Sequence, residues 1–534
     1  MSAECFPMSV LPHLSALYGD YLAAAEPVRG WYGSEPLSGW MGRAVAVAEP
    51  AKLADALALQ AAEFGAAPAT LANIERLRAG ARAVVTGQQV GLFGGPLFTL
   101  LKAATAIARA AEAERTTGVP HVPVFWLATD DHDLAEVDQV ALLSKHAVET
   151  LRVGLTSNGS PVGEAPLGPE ISQVLDQASE LLGWAPVCDL LRECYEPREG
   201  YAPTLGGAFG RLMTRLFAGH GLVVMDAAGH YFHALGASAL RAAIARAGEL
   251  EAALLARTAE LESLGYHAQV LVKPGSSLLF LLDATTRQRL LLRHLADGSW
   301  KAGNQTFTTG ELLQILEDAP ERISPNALLR PIFQDVILPT VAYIGGPAEI
   351  AYFAQSAVLY QAILGRLTPV LPRLSATLIE PAIGALLAQH ELQLPDVMTT
   401  SEALAQKLGA RAMPIEGKRK IAAVGNAMDA ELTVLTEYLA SMDESLGRSA
   451  AVSGSKMRYQ MNRLRRMAAT FELQKEASLR KHADALTLNL FPNAHPQERL
   501  LAGVWFLARN GEDLVDRFVQ EAAEMCAGHA VVRL

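Results

Sequence analysis

The segment that decides the fold reads AVVTGQQVGLFGGPLFTLLKA, from residue 83 to residue 103. It begins with a short apolar run, Ala83–Val85, which predicts a buried strand. A glycine-rich turn follows, and Pro96 is suited to the first turn of a helix that we expect to run to about Arg115. A buried strand, a glycine turn and a helix in this order are typical of an α/β protein.

Three more apolar runs extend this arrangement along the chain. They predict strands at Val122–Ala128, Leu222–Met225 and Val336–Tyr343, and a helix follows the last strand over about 348–364. The alternation of strands and helices predicts a Rossmann-like, mainly parallel sheet. In such sheets ligands bind beyond the carboxyl ends of the strands, so we expect the functional site there.

One stretch departs from this rhythm. Short strand-like runs at Gln269–Lys273, Leu278–Leu282 and Arg287–Arg293 are separated by turn residues. They predict a β-meander, inserted near residues 267–310 and packed beside the main sheet.

From about residue 384 the pattern becomes helical. Apolar residues follow a 4-3-4-3 spacing over 428–446 and again over 457–471, with a break at Gly447–Gly454. This predicts an antiparallel coiled-coil hairpin about 30 Å long. The alternative is two ordinary amphipathic helices that pack on the core. The expected organisation is a core at 1–383, a helical coiled-coil domain at 384–487 and a segment at 488–534 that packs back on the core.

The composition is that of a soluble protein, with 50% hydrophobic and 19% charged residues. A net charge of −11 argues against a dedicated nucleic-acid binder. No stretch approaches the run of about 18 apolar residues that a membrane helix needs, and we expect a cytoplasmic protein without a membrane span. The four cysteines, Cys5, Cys188, Cys194 and Cys526, predict neither a disulfide framework nor a structural zinc site.

The glycine-rich turn is the first candidate binding element. Its glycines let the backbone approach a ligand closely, and the helix behind it offers free N–H groups to an anion. The alternative is a tight connection that needs glycine only for its turn. The turn is neither a Walker A loop nor a dinucleotide-binding G-x-G-x-x-G. The candidate binding residues in and after the turn are Gln88, Gln89, Gly94, Gly95, Thr99 and Lys102.

An acidic cluster at the end of the second strand is the candidate catalytic element. Asp130, Asp131 and Asp133 surround His132, and carboxylates so close together are costly unless they face a cation. The group could hold Mg²⁺, raise the pKa of the histidine for general-base work, or bind an ammonium group. The alternative is capping of the next helix by these aspartates.

A third element follows the strand that ends near Tyr343. Gly345, Gly346 and Glu349 repeat the pattern of paired glycines, a helix start and a polar first turn. Upstream, Arg330 is a candidate for bidentate recognition of a carboxylate or phosphate. Its alternative role is an ordinary salt bridge to Asp335 or Glu349.

A basic run, 456–466, lies on the second hairpin helix and includes Lys456, Arg458, Arg463, Arg465 and Arg466. Such a run is usually a solvated face. It could instead close over a phosphate held by the core.

Six segments carry a resemblance to a known family, the bacillithiol-synthesis cysteine ligases. They cover nearly the whole chain in the expected order: VVTGQQVGLFGGPLFTLLKA (84–103), PVFWLATDDHDLAEV (123–137), GYHAQV (265–270), SPNALLRPIFQDVILPTVAYIGGPAEIAYFAQ (324–355), LPRLSATLIEP (371–381) and PNAHPQER (492–499).

The resemblance implies a Rossmann-like core with inserted connective modules and a coiled coil that pairs two subunits into a homodimer. It implies a ligase that adds cysteine to glucosaminyl-malate. The core is similar to nucleotidyl-transferring enzymes related to class I aminoacyl-tRNA synthetases, whose HIGH motif would fall near Gly94–Thr99. This chain has no His-x-Gly-His there, and Ser455-Lys456-Met457 matches a KMSKS loop poorly.

We therefore expect ATP to activate the cysteine carboxylate, as an adenylate or an acyl phosphate. ADP would be a product or a bound ligand, and Mg²⁺ could accompany the nucleotide. In this interpretation Asp131, His132 and Asp133 orient the amine substrate or Mg²⁺ and accept the proton of the amine. Two other hypotheses stay open. One is nucleotidyl transfer to a small alcohol or phosphate, and the other is a non-catalytic, nucleotide-sensing dimeric scaffold.

Overall fold

The structure, a computed structural model, describes residues 4–32, 39–156 and 159–534. The chain forms two compact units. The first, here called the core unit, comprises 1–377 and 498–531. The second, the helical unit, comprises 378–497 and 532–534.

The strands of the described residues are short and mostly buried. They are β1 (Glu4–Phe6), β2 (Arg82–Gln89), β3 (His121–Ala128), β4 (Gln139–Leu143), β5 (Val148–Arg152), β6 (Val223–Asp226), β7 (Ser276–Leu282), β8 (Arg289–His294), β9 (Trp300–Ala302), β10 (Gln305–Phe307), β11 (Ile323–Pro325), β12 (Thr340–Gly345), β13 (Val370–Pro372), β14 (Ser375–Ile379) and β15 (His529–Arg533).

Helices connect and cover these strands. They are α1 (Ala16–Leu22), α2 (Glu26–Tyr32), α3 (Pro50–Phe64), α4 (Pro68–Arg78), α5 (Phe98–Thr117), α6 (Leu134–Val137), α7 (Glu170–Leu181), α8 (Val187–Tyr195), α9 (Leu205–Leu216), α10 (His230–Ala245), α11 (Ala247–Ser263), α12 (Thr309–Asp318), α13 (Arg330–Ile337), α14 (Pro347–Leu364), α15 (Pro381–Gln389), α16 (Leu394–Val397), α17 (Ser401–Ala412), α18 (Ile415–Met442), α19 (Glu444–Lys475), α20 (Ala477–Leu490), α21 (Gln497–Leu500), α22 (Gly503–Asn510) and α23 (Leu514–Ala523).

The main sheet of the core unit is parallel, in the strand order β13–β12–β2–β3–β6. Strands β2 and β3 pair along their whole length, from Arg82 opposite His121 to Gln89 opposite Ala128. Helix α5 packs on both of these strands. The Rossmann-like, mainly parallel sheet is thus confirmed, and the carboxyl ends of β2, β3 and β12 meet at one edge.

One predicted strand begins later than expected. Val336 and Ile337 belong to α13, and β12 starts only at Thr340, after Pro339. The helix and the strand are both buried, so their residues form one continuous apolar run. Hydrophobicity alone cannot divide such a run into helix and strand.

The inserted meander is an antiparallel sheet in the order β10–β9–β8–β7–β11. Two of its three predicted runs coincide with β7 and β8. The prediction of a strand at Gln269–Lys273 is wrong. There the side chain of buried Gln355 replaces a strand partner, since it accepts from the amide of Val270 at 2.9 Å and donates to the carbonyl of Val270 at 2.8 Å.

The helical unit contains the predicted hairpin, formed by α18 and α19. The turn lies at Asp443, whose carboxylate accepts from the amide of Ser445 at 2.8 Å. The predicted break at Gly447–Gly454 is therefore wrong, because this segment lies inside α19. The two helices have 28 and 32 residues, or about 42 and 48 Å, and so are longer than expected.

The cysteines also differ from the expectation. Cys5 and Cys526 form a disulfide, while Cys188 and Cys194 are free and buried. The bond joins residues 521 positions apart, so no local spacing in the sequence indicates it. In the part of the chain that the structure describes, no helix is long and apolar enough to cross a membrane.

Candidate functional site

A cleft of about 650 Å³ opens in the core unit at the carboxyl ends of β2, β3 and β12. The first turn of α14 and the meander complete its walls. The sequence predicted binding and catalytic residues at these strand ends. The structure brings most of these predicted site residues together. The candidates that line the cleft are Gln88, Gln89, Lys102, Asp131, His132, Arg330, Tyr343, Gly346 and Glu349.

One wall contains a buried ion pair. Lys102 Nζ lies 2.5 Å from Glu349 Oε2, and it also donates to the carbonyl of Gly87 at 2.8 Å and to Gln88 Oε1 at 2.9 Å. Burial lowers the pKa of Lys102, and Glu349 opposes that shift. Burial alone would raise the pKa of Glu349, but Lys102 and the amide of Gly346 outweigh it and hold this pKa below its ordinary value.

Aromatic hydroxyls extend this wall. Tyr343 donates to Glu349 Oε1 at 2.6 Å, and Arg330 donates to the hydroxyl of Tyr352 at 3.1 Å. The Arg330 guanidinium also donates to Gln334 Oε1 at 3.0 Å and lies 5.4 Å from the centre of the Tyr343 ring. Burial lowers the pKa of Arg330, but the two tyrosines and Glu349 outweigh burial and raise it. Arg330 is therefore held in place and charged.

A second wall, called the acidic wall, carries the carboxylate of Asp131 beside His132. Gln89 Nε2 donates to Asp131 Oδ2 at 2.6 Å and to Glu136 Oε2 at 2.9 Å, and the amide of His132 donates to Asp131 Oδ1 at 2.8 Å. Burial would raise the pKa of Asp131, but these hydrogen bonds and Arg289 outweigh it and lower this pKa. Asp131 is thus an ionised carboxylate with a fixed orientation.

His132 lies between that carboxylate and a guanidinium. Its Nδ1 is 3.7 Å from Asp131 Oδ1 and 3.5 Å from Arg289 Nη1. Arg289 stacks on Phe280, 3.7 Å from the ring centre, and donates to the carbonyl of Pro325 at 2.9 Å. Burial lowers the pKa of Arg289, and Asp130 and Asp131 oppose this. The imidazole is half exposed and accessible to a ligand in the cleft.

Sequence reasoning missed three arginines that line the cleft: Arg289, Arg373 and Arg499. Arg373 forms a buried bidentate pair with Glu498, with distances of 2.7 and 2.9 Å. Arg499 has no hydrogen-bond or ion-pair partner among the described residues. The blocks LPRLSATLIEP and PNAHPQER contain Arg373 and Arg499, so they were the signal that could have found two of the three.

Five candidates lie elsewhere. Gly94, Gly95 and Thr99 form a turn and a helix start that pack against residues 501–503, where Leu97 donates to the carbonyl of Leu501 at 2.8 Å and the amide of Gly503 donates to that of Gly95 at 3.3 Å.

Thr99 is fully buried, and its hydroxyl has no partner among the described residues. Gly345 is buried behind the cleft, and its carbonyl accepts from the amide of Arg373 at 3.0 Å. Asp133 is exposed at the start of α6, where its side chain makes no capping hydrogen bond. None of these five residues lines the cleft, so their role in binding or catalysis stays a prediction.

Metal ligands are not preassembled in this cleft. Among the residues that the structure describes, no group of three or more His, Cys, Asp or Glu side chains is arranged to hold an ion. The basic run on α19 lies in the helical unit, where Arg458 pairs with Asp429 at 2.8 Å. Its other basic side chains are exposed to solvent.

Comparisons with known proteins cover the whole chain. A family model described as the N-terminal Rossmann-like domain of BshC, a protein of bacillithiol biosynthesis, matches residues 1–374. A second, the C-terminal coiled-coil domain of BshC, matches residues 376–534.

Relatives named "Putative cysteine ligase BshC" match at full length. That of Koribacter versatilis is 41% identical over 541 residues, covering 100% of both chains. That of Solibacter usitatus is 35% identical over 538 residues, again covering 100% of both. That of Salinibacter ruber is 31% identical over 544 residues, covering 99% of this chain and 98% of its own.

Proposed function

The chain belongs to the BshC family of bacillithiol biosynthesis, and we propose that it is a ligase that joins the carboxylate of cysteine to the amine of glucosaminyl-malate. The observation that carries this proposal is the polarity of the cleft. One wall presents an ionised carboxylate beside an imidazole, and cationic arginines line other parts of the same cavity. A reaction between an amine and anionic substrates needs a negatively charged region for the amine and positively charged regions for the anions.

The acidic wall suits the amine. Asp131 is ionised, so it attracts the ammonium form of the sugar amine and orients it. The ammonium group loses one proton to water and becomes the neutral amine that attacks. His132 takes the second proton, which the nitrogen loses as the amide forms. Asp131 Oδ1, 3.7 Å from Nδ1 of His132, and Arg289 Nη1, 3.5 Å from the same nitrogen, position the ring beside the amine.

The arginines suit the anions. The cleft must hold the carboxylates of malate and the phosphates of ATP, and its volume lies in the range of small-molecule and cofactor sites. Arg499 offers a guanidinium that has no hydrogen-bond or ion-pair partner among the described residues, and guanidinium forks match both carboxylates and phosphates. Arg373 and Arg330 are positioned by their partners and add positive potential.

ATP would transfer an adenylyl group, with release of pyrophosphate, or a phosphoryl group, with release of ADP, to the carboxylate of cysteine and so supply a leaving group. The carbon–nitrogen bond then forms as AMP or phosphate leaves and the amine proton passes to His132. Mg²⁺, where it is needed, would enter with the nucleotide, since this ion is usually held by phosphates with one or two carboxylates. Asp130 and Asp131, which line the cleft, would supply these carboxylates, since Glu349 is already paired with Lys102.

The same proposal includes a cytoplasmic homodimer. Residues 415–475 of the helical unit expose thirteen large apolar side chains: Ile415, Val424, Val434, Leu435, Tyr438, Met442, Leu446, Val452, Met457, Tyr459, Leu464, Met467 and Phe471. So much exposed apolar surface on one hairpin is unfavourable in water. A second copy of the hairpin, in a two-fold symmetric contact, would cover it.

A product assay tests the ligase proposal. The protein is incubated with cysteine, glucosaminyl-malate, ATP and Mg²⁺, and the amide is detected by mass spectrometry. Arg499→Gln removes the unengaged charge and should lower kcat/KM at least about tenfold, the value of one charged hydrogen bond. Arg458→Gln, on the hairpin, is the matched control and should leave the rate unchanged. Absence of the amide with intact protein would refute the proposal.

A further inference from the structure

The disulfide between Cys5 and Cys526 lies where the two ends of the core unit meet. Strand β1 pairs with β15 through only three residues, Glu4 opposite Val531, Cys5 opposite Ala530 and Phe6 opposite His529. Cys5 is exposed and Cys526 is half-buried, so reagents in solution reach the bond. Disulfides are rare in cytosolic proteins, and those that form there are usually transient and redox-sensing or catalytic.

The other two cysteines are buried thiols with raised pKa values, and both properties make them less reactive than an exposed cysteine. Cys188 and Cys194 are buried, and burial raises the pKa of both, that of Cys194 to about 12. The thiolate is the reactive form, so these thiols are inert at neutral pH. Thiol chemistry on this chain is therefore confined to the bonded pair.

We propose that the Cys5–Cys526 bond is a thiol-exchange site, opened and closed by low-molecular-weight thiols. The thiolate of such a molecule attacks one sulfur, the Cys5–Cys526 bond breaks, and the other cysteine leaves as a thiolate. A second thiolate then attacks the mixed disulfide. The small molecule leaves as its own disulfide, and both cysteines remain as thiols. Two electrons pass from two small thiols to the protein, and the reverse reaction restores the bond.

The bond has a structural consequence because β1 depends on it. Gly528 contacts β1 so closely that a Cβ there would lie 2.0 Å from the carbonyl oxygen of Phe6 and 3.2 Å from Cys5 Sγ. A strand that pairs through only three residues has few backbone hydrogen bonds and opens readily unless it is tied down. Breaking the disulfide therefore loosens β1 and exposes the edge of β15.

The first residue of β15, His529, connects this edge to the interior. His529 is fully buried, and burial lowers its pKa to about 4, so the ring is neutral at pH 7. Its Nδ1 lies 2.8 Å from Ser375 Oγ and its Nε2 lies 2.8 Å from Thr377 Oγ1. Ser375 donates its own proton to Glu498 Oε1 at 3.0 Å. We therefore assign the ring proton to Nδ1, which donates to Ser375, and Nε2 accepts from Thr377.

The network ends at the cleft. Glu498 accepts from Ser375 and holds Arg373 in the bidentate pair described above, and Arg373 lines the cavity. Arg499 follows Glu498 directly in the chain and lines the same cavity. The redox state of the surface pair thus acts on the position of two cleft arginines through β15 and Glu498.

The choice of thiol rests on the proposed function, since a ligase whose substrate and product both carry a cysteine thiol works among thiols that can exchange with this bond. The exchange itself is measured without any ligation assay. A chain that exchanges but does not ligate would refute the proposed function alone, and a chain that ligates without exchanging would refute this inference alone.

The experiment uses the full-length protein in buffers of varied cysteine to cystine ratio. Free thiols are then trapped with iodoacetamide, and peptides are quantified by mass spectrometry. We expect Cys5 and Cys526 to become labelled together as cysteine increases and to lose the label when cystine is added back. Cys188 and Cys194 are the internal control and should stay unlabelled. A pair that stays bonded, or stays free, at every ratio up to millimolar thiol would overturn the inference.

Hydrogen exchange tests the coupling to the interior. The double variant Cys5→Ser, Cys526→Ser imitates the reduced state with small polar side chains at accessible positions. It should speed amide exchange of residues 529–532 on the order of tenfold, because a lost cross-link makes local opening easier. Reduced wild-type protein should match it. Unchanged exchange in both samples would show that the bond does not hold β15, and the inference would fail.

Discussion

Lys102 Nζ and Glu349 Oε2 lie 2.5 Å apart, with side chains that are 3% and 17% exposed. The pair joins the second turn of α5 to the first turn of α14, the helices that follow β2 and β12. One ion pair in the wall of the cleft therefore connects the helices that follow two of the glycine-rich turns. Tyr343 and Gly346 satisfy the remaining bonds of the carboxylate.

Lys102→Met should destabilise the protein by about 3–5 kcal/mol, because it leaves the buried carboxylate of Glu349 without its cation. Adding Glu349→Gln should recover a substantial part of that loss, since the buried charge is then gone. Urea unfolding of the two single variants and the double variant gives the coupling free energy. Additive losses would show that the two charges do not depend on each other.

Variants of the acidic wall are expected to lose ligation activity without losing stability. Asp131→Asn and His132→Gln should lower the ligation rate by about 10²–10⁴ while the melting temperature stays nearly unchanged. Asp133→Asn is the matched control, because this residue is exposed and off the cleft, and its rate should equal that of the unchanged protein. Steady-state kinetics decides. If Asp131→Asn and His132→Gln both keep the rate of the unchanged protein, the cluster has a structural role only.

The sequence predicted the sheet well because buried strands leave a local signal. The runs at β2, β3 and β6 are apolar, short and bounded by turns, and each was placed within a few residues. The same signal failed at Val336, where a buried helix reads like a buried strand. The prediction of a helix break at Gly447 failed for another reason. A Cβ at this position would lie only 2.6 Å from Ala440 Cβ, so the glycine permits close packing of two helices.

The site was harder to predict because it depends on contacts between distant segments. Gln89, Asp131 and Glu349 were identified because strand ends of a parallel sheet converge. Arg289 comes from the inserted meander, and Arg499 from a short helix near the end of the chain, so no local pattern links either to the sheet edge. The turn at Gly95 has a positive φ of 68° and lies off the cleft, so its predicted role in ligand binding stays a prediction.

Stability should depend on pH through His529. Its folded-state pKa of about 4 lies below the ordinary value of 6.5, so the folded state resists protonation. Stability is fully present above pH 6.5 and decreases as the pH falls towards 4, by up to about 3 kcal/mol. His529→Asn, which retains a donor near Nδ1, should flatten this part of the profile. Urea unfolding between pH 7 and pH 4 measures the free energy of unfolding of the unchanged protein and of the variant. If the two free energies fall in parallel with pH, His529 is not the group responsible.

The proposed dimer can be tested at the hairpin. Tyr438 and Met467 are 61% and 59% exposed, and Tyr438→Ser with Met467→Ser removes apolar surface that a partner would cover. Light scattering after size exclusion should show a shift from the mass of two chains to that of one. Leu59→Ser, at an apolar position that is 62% exposed in the core unit, is the control and should not change the mass. A double variant that remains dimeric would place the interface elsewhere.

The most direct test of the central claim follows the oxygens of the cysteine carboxylate. Cysteine labelled with oxygen-18 in both carboxylate oxygens is incubated with glucosaminyl-malate, ATP, Mg²⁺ and the protein, and all products are analysed by mass spectrometry. The account predicts an amide product that keeps one labelled oxygen, with the other in AMP or in inorganic phosphate. Cleavage of ATP without a labelled amide, or an amide formed while AMP and phosphate stay unlabelled, would contradict it.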